Sequence, residues 1–239
     1  MNQPPLLQTT ALSGGYGKIT VFRDLNLDLH PGNVLAILGP NGSGKTTLMM
    51  TLAGLIPRLA GDVTLQGKTL PSGKPSIANR SGIVLIPDNR ELFTTLTVQE
   101  NIEIPRLPGH TTAIDDMLEL FPALKKRLKI KAGSLSGGEQ QMLAMACGLV
   151  QHPKVLLIDE MSMGLAPIIV ETLMPIVRQV ADGTQATVVL VEQHVGLALE
   201  VADEALVMVH GQVALQGPAQ QFRNDPTQLE AAYLGDTPT

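Results

Sequence analysis

Short apolar runs recur along the chain at Val34–Leu38, Asp62–Leu65, Ile83–Ile86, Val155–Ile158, Thr187–Val191 and Ala205–Val209. Several are apolar at almost every position, the pattern of a strand buried on both faces of a sheet. Between them lie helical patterns at Thr46–Leu55, Glu139–Val150, Ile168–Ala181 and Val195–Val201. Strands alternating with helices predict an α/β core around a largely parallel central sheet. The first thirty residues read differently. Leu6–Leu12 and Val21–Leu29 alternate polar and apolar residues with Gly14-Gly15 between them, which predicts antiparallel strands joined by a turn.

From about Leu96 to Lys131 the buried-strand pattern disappears. Thr111–Phe121 predicts an amphipathic helix with Ile114, Met117, Leu118 and Phe121 on one face, approached through Pro105 and Pro108. Residues 96–150 are expected to form a helical subdomain, inserted into a single domain, 1–239, whose core is 1–95 and 151–239. Lys125 to Lys131 form a small basic cluster, read as a solvated face with a partner site as the alternative.

One helix start carries chemistry. Val34–Leu38 runs into Gly39-Pro40-Asn41-Gly42-Ser43-Gly44-Lys45-Thr46-Thr47, which matches G-x-x-x-x-G-K-[ST] at every defined position and leads into the predicted helix. Glycines at 42 and 44 let successive amide N–H groups point into one concavity. An anion seated there also meets the positive end of the helix. Lys45 offers a mobile positive charge to the outer phosphates, and the Thr46 hydroxyl is placed to ligate Mg²⁺. A Gly/Ser-rich surface turn would account for the composition but not for the strand and helix on either side. These residues predict binding of a nucleoside triphosphate.

Charge narrows the partners. Lys and Arg total 17 against 22 Asp and Glu, a net charge of −5, so there is no electrostatic case for nucleic acid. Aromatics are 3% with no Trp, which also argues against base-stacking platforms. The single Cys147 excludes an internal disulfide and reads as a buried small hydrophobe rather than a nucleophile. The start, Met1 to Pro5, shows no secretory pattern, and apolar stretches such as Met142 to Val150 fall short of the roughly 20 residues that span a bilayer. The expectation is a cytoplasmic chain that reaches a membrane only by docking on a spanning partner.

Two further motifs fit the first. Val155-Leu156-Leu157-Ile158-Asp159-Glu160 is an apolar strand ending in two carboxylates. Beside a phosphate loop, the first can hold Mg²⁺ and the second can orient or deprotonate an attacking water. Leu135-Ser136-Gly137-Gly138-Glu139 opens another helix, with Ser136 a suitable N-cap and the glycines leaving the amides unobstructed. A capping box would explain Ser136 and Glu139 but not the paired glycines.

The phosphate loop, LSGGE at 135–139 and LLIDE at 156–160, in that order, resemble the nucleotide-binding subunit of an ABC transporter, over nearly all of the chain from Tyr16 to Leu234. The resemblance implies a P-loop α/β fold of the ABC ATPase type, with an N-terminal antiparallel β subdomain and the helical insert. It implies ATP hydrolysis with Mg²⁺ held by Thr46, Asp159 and Asp88. It also implies head-to-tail pairing, in which Ser136 and Gly138 serve an ATP bound to the partner. Tyr16 would stack on the adenine of this chain's own ATP, or be an ordinary surface residue. Ile86-Pro87-Asp88-Asn89-Arg90-Glu91-Leu92-Phe93, Gly164-Leu165-Ala166-Pro167, Val191-Glu192-Gln193-His194 and Ala232-Tyr233-Leu234-Gly235 resemble the smaller ATPase of branched-chain amino-acid importers, with urea and short-amide importers similar.

That likeness implies a second, non-identical ATPase, two membrane permeases, a periplasmic binding protein and a station on the cytoplasmic face of the inner membrane. Asp88 stands where most relatives carry Gln. Gln193 aligns with the usual switch histidine, His194 being the alternative γ-phosphate contact. Met161 and Ala166 replace a usual Pro and Asp, so the two ATP sites of such a heterodimer are expected to differ in rate. A soluble ATPase acting on nucleic acid or ribosomes would normally carry two nucleotide domains or a coiled-coil insertion, and neither is present. A phosphate-loop kinase would leave LSGGE unexplained.

Overall fold

In the computed structural model, which describes residues 4–106 and 114–234, the chain builds two sheets with a helix between them. A hairpin of β1 (Leu7–Tyr16) and β2 (Ile19–Leu29) leads into β3 (Val34–Leu38), the phosphate loop and α1 (Lys45–Leu52). Next come β4 (Arg58–Leu65), β5 (Lys68–Thr69), α2 (Pro75–Ser81) and β6 (Ile83–Ile86). The helical stretch holds α3 (Val98–Glu103), α4 (Ile114–Leu120), two 3₁₀ turns (Pro122–Arg127 and Ala132–Ser134) and α5 (Gly137–Leu149). The rest is β7 (Val155–Asp159), α6 (Pro167–Thr184), β8 (Thr187–Val191), α7 (Val195–Val201), β9 (Glu204–Val209), β10 (Gln212–Pro218), α8 (Ala219–Asn224) and α9 (Thr227–Leu234).

The six-stranded sheet runs in the order β10-β9-β3-β8-β7-β6, parallel except for the β9–β10 hairpin at one edge. Its side chains alternate between two apolar clusters. Val34, Ala36 and Leu38 face a core shared with α3 to α9, whereas Leu35 and Ile37 face Leu48, Met49 and Leu52 of α1 and the antiparallel sheet. Slipping β3 by one residue would exchange these faces, and each buried aliphatic side chain is worth about 1.5–3 kcal/mol, so the register is firmly set.

Three sequence expectations need correction. Asp62–Leu65 does form a strand, but as part of β4 in the antiparallel sheet β2-β1-β4-β5, not in the parallel core. Its half-exposed alternation suits a sheet with only one face covered. The hairpin turn is not at Gly14-Gly15. It falls at Gly17-Lys18, with Gly17 at φ 60°, while Gly14 and Gly15 lie inside β1, where a Cβ would meet the Phe22 ring at 2.5 Å and the Ile19 carbonyl at 2.0 Å. Of the predicted helix Thr111–Phe121, residues 111–113 and Pro108 lie outside the described residues. Ile114–Leu120 forms α4, with Met117 and Leu118 buried, and Phe121, just beyond its end, is buried as well. Helix α1 stops at Leu52, short of Leu55, because Gly54 takes a left-handed φ of 72°.

Sheet order decides where the chemistry collects. Val191 at the end of β8 pairs with Ile37 of β3 on one side and Asp159 of β7 on the other. The phosphate loop, the Asp159-Glu160 pair and Glu192-Gln193 therefore leave three adjacent parallel strands side by side, at the carboxyl edge where α/β sheets bind ligands.

Candidate functional site

Asn41, Gly42, Gly44, Lys45, Thr46, Thr47, Glu160 and Gln193 line one cleft of about 300 Å³, together with Val21 and Met163. The loop's shape depends on glycine at three points: Gly39, Gly42 and Gly44 have φ of 141°, 80° and 102°. Gly39 also has no room for a side chain, since a Cβ would sit 2.1 Å from the Met208 carbonyl. A Cβ at Gly42 would meet nothing, because that position opens to the cleft. Gly44 is the N-cap of α1 and no side chain caps the helix, so its first amides are left for a ligand.

Lys45 is buried, and its Nζ donates to the Gly39 carbonyl at 2.8 Å and the Pro40 carbonyl at 3.0 Å. Burial lowers its pKa, while Glu160 and Asp159 act to raise it. The ammonium is thus tethered at the cleft by two carbonyl oxygens, with two carboxylates acting on its charge. Ser43 Oγ is buried behind the loop without a hydrogen-bond partner.

Asp159 is 3% exposed, and its Oδ1 is buried with no partner. Burial pushes its carboxyl up to about 6, partly opposed by a hydrogen bond with Thr46. An orphaned carboxylate oxygen beside a threonine hydroxyl is a donor set for a hard divalent cation. Among the described residues no three His, Cys, Asp or Glu side chains converge on one point. A cation here would draw on one carboxylate, one hydroxyl and its substrate's oxygens, which suits Mg²⁺. Asp88 is exposed and accepts the Asn89 N–H at 2.7 Å. Its charge is felt at Asp159, but it does not line the cleft.

Glu160 follows β7 in a left-handed backbone (φ 44°), a conformation uncommon for a non-glycine residue. Its N–H donates to the Val191 carbonyl at 2.9 Å, and its Oε2 accepts from Gln193 Nε2 at 2.8 Å. Gln193, not His194, is the residue in the cleft; His194 is the exposed N-cap of α7.

The LSGGE segment lies elsewhere, with none of Leu135–Glu139 lining the cleft. Ser136 is exposed and caps α5 in a capping box: its Oγ accepts the Glu139 N–H at 3.3 Å, and Glu139 Oε2 accepts the Ser136 N–H at 2.9 Å. That bond, then the Arg127 guanidinium, holds the Glu139 carboxyl below its ordinary value. Arg127 thus gives one member of the basic cluster an anchoring partner, at 2.8 Å. Gly138 has a packing reason as well, because a Cβ would lie 3.0 Å from Ile169 of α6. Tyr16 is 52% exposed at the hairpin tip, its hydroxyl 4.0 Å from Met50 Sδ. Cys147 is half-buried, burial pushes its thiol up to about 12, and it donates to the Asn101 carbonyl. It is an inert thiol.

This fold and cleft can be set beside known proteins. The sequence profile of the family described as "ABC transporter" matches residues 22–163, more than half of the chain. The chain belongs to the ABC transporter family. It is 37% identical over 235 residues to the high-affinity branched-chain amino acid transport ATP-binding protein BraG of Pseudomonas aeruginosa, covering 96% of this chain and 100% of that one. It is also 37% identical over 221 residues to the probable branched-chain amino acid transport ATP-binding protein LivF of Archaeoglobus fulgidus, covering 91% and 94%. A solved nucleotide-free ATP-binding cassette from an ABC transporter superposes with TM-score 0.79 at 25% identity, over 94% of this chain and 97% of that one. The cassette described here is an ATPase of this family, with the family's α/β fold.

Sequence reading missed one contact to the cassette's phosphate loop. Tyr233 of α9 accepts the Gly39 N–H on its hydroxyl at 2.9 Å, across 194 residues. Sequence noted Tyr233 only within the Ala232–Gly235 likeness, whose Gly235 lies outside the described residues. Tyr233→Phe keeps the ring and loses one hydrogen bond, so KM for ATP is expected to rise about 2- to 10-fold. Steady-state ATPase assays measure this, and an unchanged KM contradicts it.

Proposed function

We propose that this chain is the ATP-hydrolysing subunit of an importer for branched-chain or related amino acids. It would work on the cytoplasmic face of the inner membrane, beside a second, non-identical ATPase, two permeases and, indirectly, a periplasmic binding protein. The solute class rests on the 37% identity to BraG and LivF over nearly their whole lengths. Among the described residues no helix is long and apolar enough to cross a membrane, so contact with one would go through partners.

The observation that carries the reading is the separation of two anion-binding helix starts. The phosphate loop, Lys45, Glu160 and Gln193 share one cleft, while exposed Ser136 opens α5 outside it. A phosphate served by Ser136 must therefore come from another molecule, which favours head-to-tail pairing. Exposed Met163 in the cleft wall (49%) and Ile168 on α6 (66%) are apolar surface that such a partner would cover.

In the proposed reaction ATP lies with its outer phosphates against the loop amides and Lys45. Thr46 and Asp159 would hold Mg²⁺, which when bound neutralises phosphate charge; Asp88 would assist from the neighbouring loop. Glu160 orients the attacking water and accepts its proton as the oxygen bonds to the γ-phosphorus, and the bridging oxygen leaves with ADP. Gln193 touches the γ-phosphate while holding Glu160 in place. Tyr16 would stack on the adenine.

Permease coupling is assigned to the 88–93 loop and the neighbouring helices of 96–150. A groove of about 180 Å³ there is lined by Arg90, Phe93, Ile104 and Cys147 among others. Arg90 binds Gln141 Oε1 at 2.8 Å and Gln140 Oε1 at 3.2 Å, and Asn101 holds both the N–H and C=O of Phe93. A push on exposed Phe93 would thus reach α5, which carries Ser136 at its start. Reconstitution in vesicles with permeases and binding protein is the test. ATP turnover is expected to rise several-fold with binding protein loaded with leucine, isoleucine or valine. Stimulation by urea or a short amide alone would overturn the solute assignment.

A further inference from the structure

Glu192, directly after β8 and directly before Gln193, is fully buried, 0% exposed. A carboxylate in such a place costs free energy unless donors surround it. Three do. The Ser162 N–H reaches Oε1 at 3.1 Å, the Ser162 hydroxyl makes a short bond to Oε2, and the Gln193 N–H reaches Oε2 at 3.3 Å. Ser162 is itself 4% exposed and lies two residues after Glu160. Burial pushes the Glu192 carboxyl above its ordinary value, and the Ser162 and Gln193 donors pull against that shift.

The contacts close a ring. Glu192 fixes Ser162 on one side and the Gln193 backbone on the other. Gln193 Nε2 reaches back 2.8 Å to Glu160 Oε2, and the Glu160 N–H bonds the Val191 carbonyl next to Glu192. Glu160 needs such support, because its φ of 44° is a conformation that its own side chain disfavours. Ser162 also directly precedes the stretch Met163 to Ala166, which leads out to exposed Ile168. One carboxylate thus ties together the proposed base, the proposed γ-phosphate contact and the segment leading to the proposed partner face.

We infer that Glu192 is a positioning residue for hydrolysis: it locks Glu160 and Gln193 in register with each other without touching ATP. This rests on the roles proposed for Glu160 and Gln193. If it holds, losing the buried carboxylate lowers kcat and leaves nucleotide binding nearly intact, because the phosphate loop lies on a different strand connection.

The test uses the full-length chain under conditions where the wild type turns over Mg·ATP. Glu192→Gln cannot accept all three donors, so kcat is expected to fall about 5- to 100-fold with KM within about 3-fold. The discriminating measurement repeats Glu192→Gln in a Gln193→Ala background. The part of the effect carried by the Gln193 side chain is already gone there while the Ser162 arm remains, so the further drop is expected to be smaller than in the wild-type background. Equal factors in both backgrounds, or a wild-type kcat for Glu192→Gln, overturn the proposal.

Should Glu192→Gln fail to fold, Ser162→Ala removes a single donor. It is expected to lower kcat about 3- to 10-fold with KM unchanged, and an unchanged kcat again overturns the proposal. Glu160→Gln is run alongside. Normal turnover there removes the base assignment and this proposal with it. A dead Glu160→Gln beside a fully active Glu192→Gln removes this proposal alone.

Discussion

Glu160→Gln is expected to lower ATP turnover by about 10²- to 10⁴-fold, the range for losing a positioned general base. The substitution is nearly isosteric. The amide oxygen of glutamine can still accept the Gln193 Nε2 donor now at 2.8 Å, and the backbone bond to Val191 is untouched. The loop amides and Lys45 are unaltered, so ATP binding is expected to survive. Affinity should rise, since one negative charge beside the phosphates has gone. The variant would then accumulate with ATP bound. Single-turnover kinetics combined with an equilibrium binding measurement separate the two effects. Wild-type turnover would remove Glu160 from the chemistry.

Lys45→Ala acts on the opposite term. Among the described residues, Lys45 is the one cation whose side chain lines the cleft, and the charges of Asp159 and Glu160 act on it. Without it, a tri- or tetra-anionic ligand meets two uncompensated carboxylates. The Gly39 and Pro40 carbonyls also lose their donor. Both effects weaken the same site. Turnover is expected to fall by about 10²- to 10³-fold or more, the size seen when one preorganised donor to developing charge is removed. ATP affinity should fall as well, in contrast to Glu160→Gln. Titration calorimetry with ATP and a turnover assay read the two directly. Normal values in both would dissolve the assigned role.

Local order in the sequence was enough for the phosphate loop, because strand, glycines, lysine and helix are contiguous between Val34 and Leu52. The same holds for the Asp159-Glu160 strand end, whose pattern is five buried residues in a row. What escaped was set by distance along the chain. Tyr233 meets Gly39 across 194 residues and Glu192 meets Ser162 across 30, and no periodicity encodes such a meeting. Sheet membership escaped for a related reason. β4 forms its ladder mainly with β1, which the local pattern at Asp62–Leu65 does not reveal. β10 did leave a signal that went unread, since His210-Gly211 at φ 48° and 75° is a two-residue hairpin turn between apolar runs. Gly14-Gly15 gave the reverse error: glycine there serves close packing inside a strand, not a turn.

The two halves of each ATP site are expected to lie on different polypeptides. Cryo-EM of the Glu160→Gln variant in its full assembly with Mg·ATP observes this directly. The expected map has the γ-phosphate held by a partner's loop in contact with the Ser136 end of α5, and this chain's own ATP closed off by the partner. A compact, nucleotide-loaded complex in which Ser136 still faces water would contradict it.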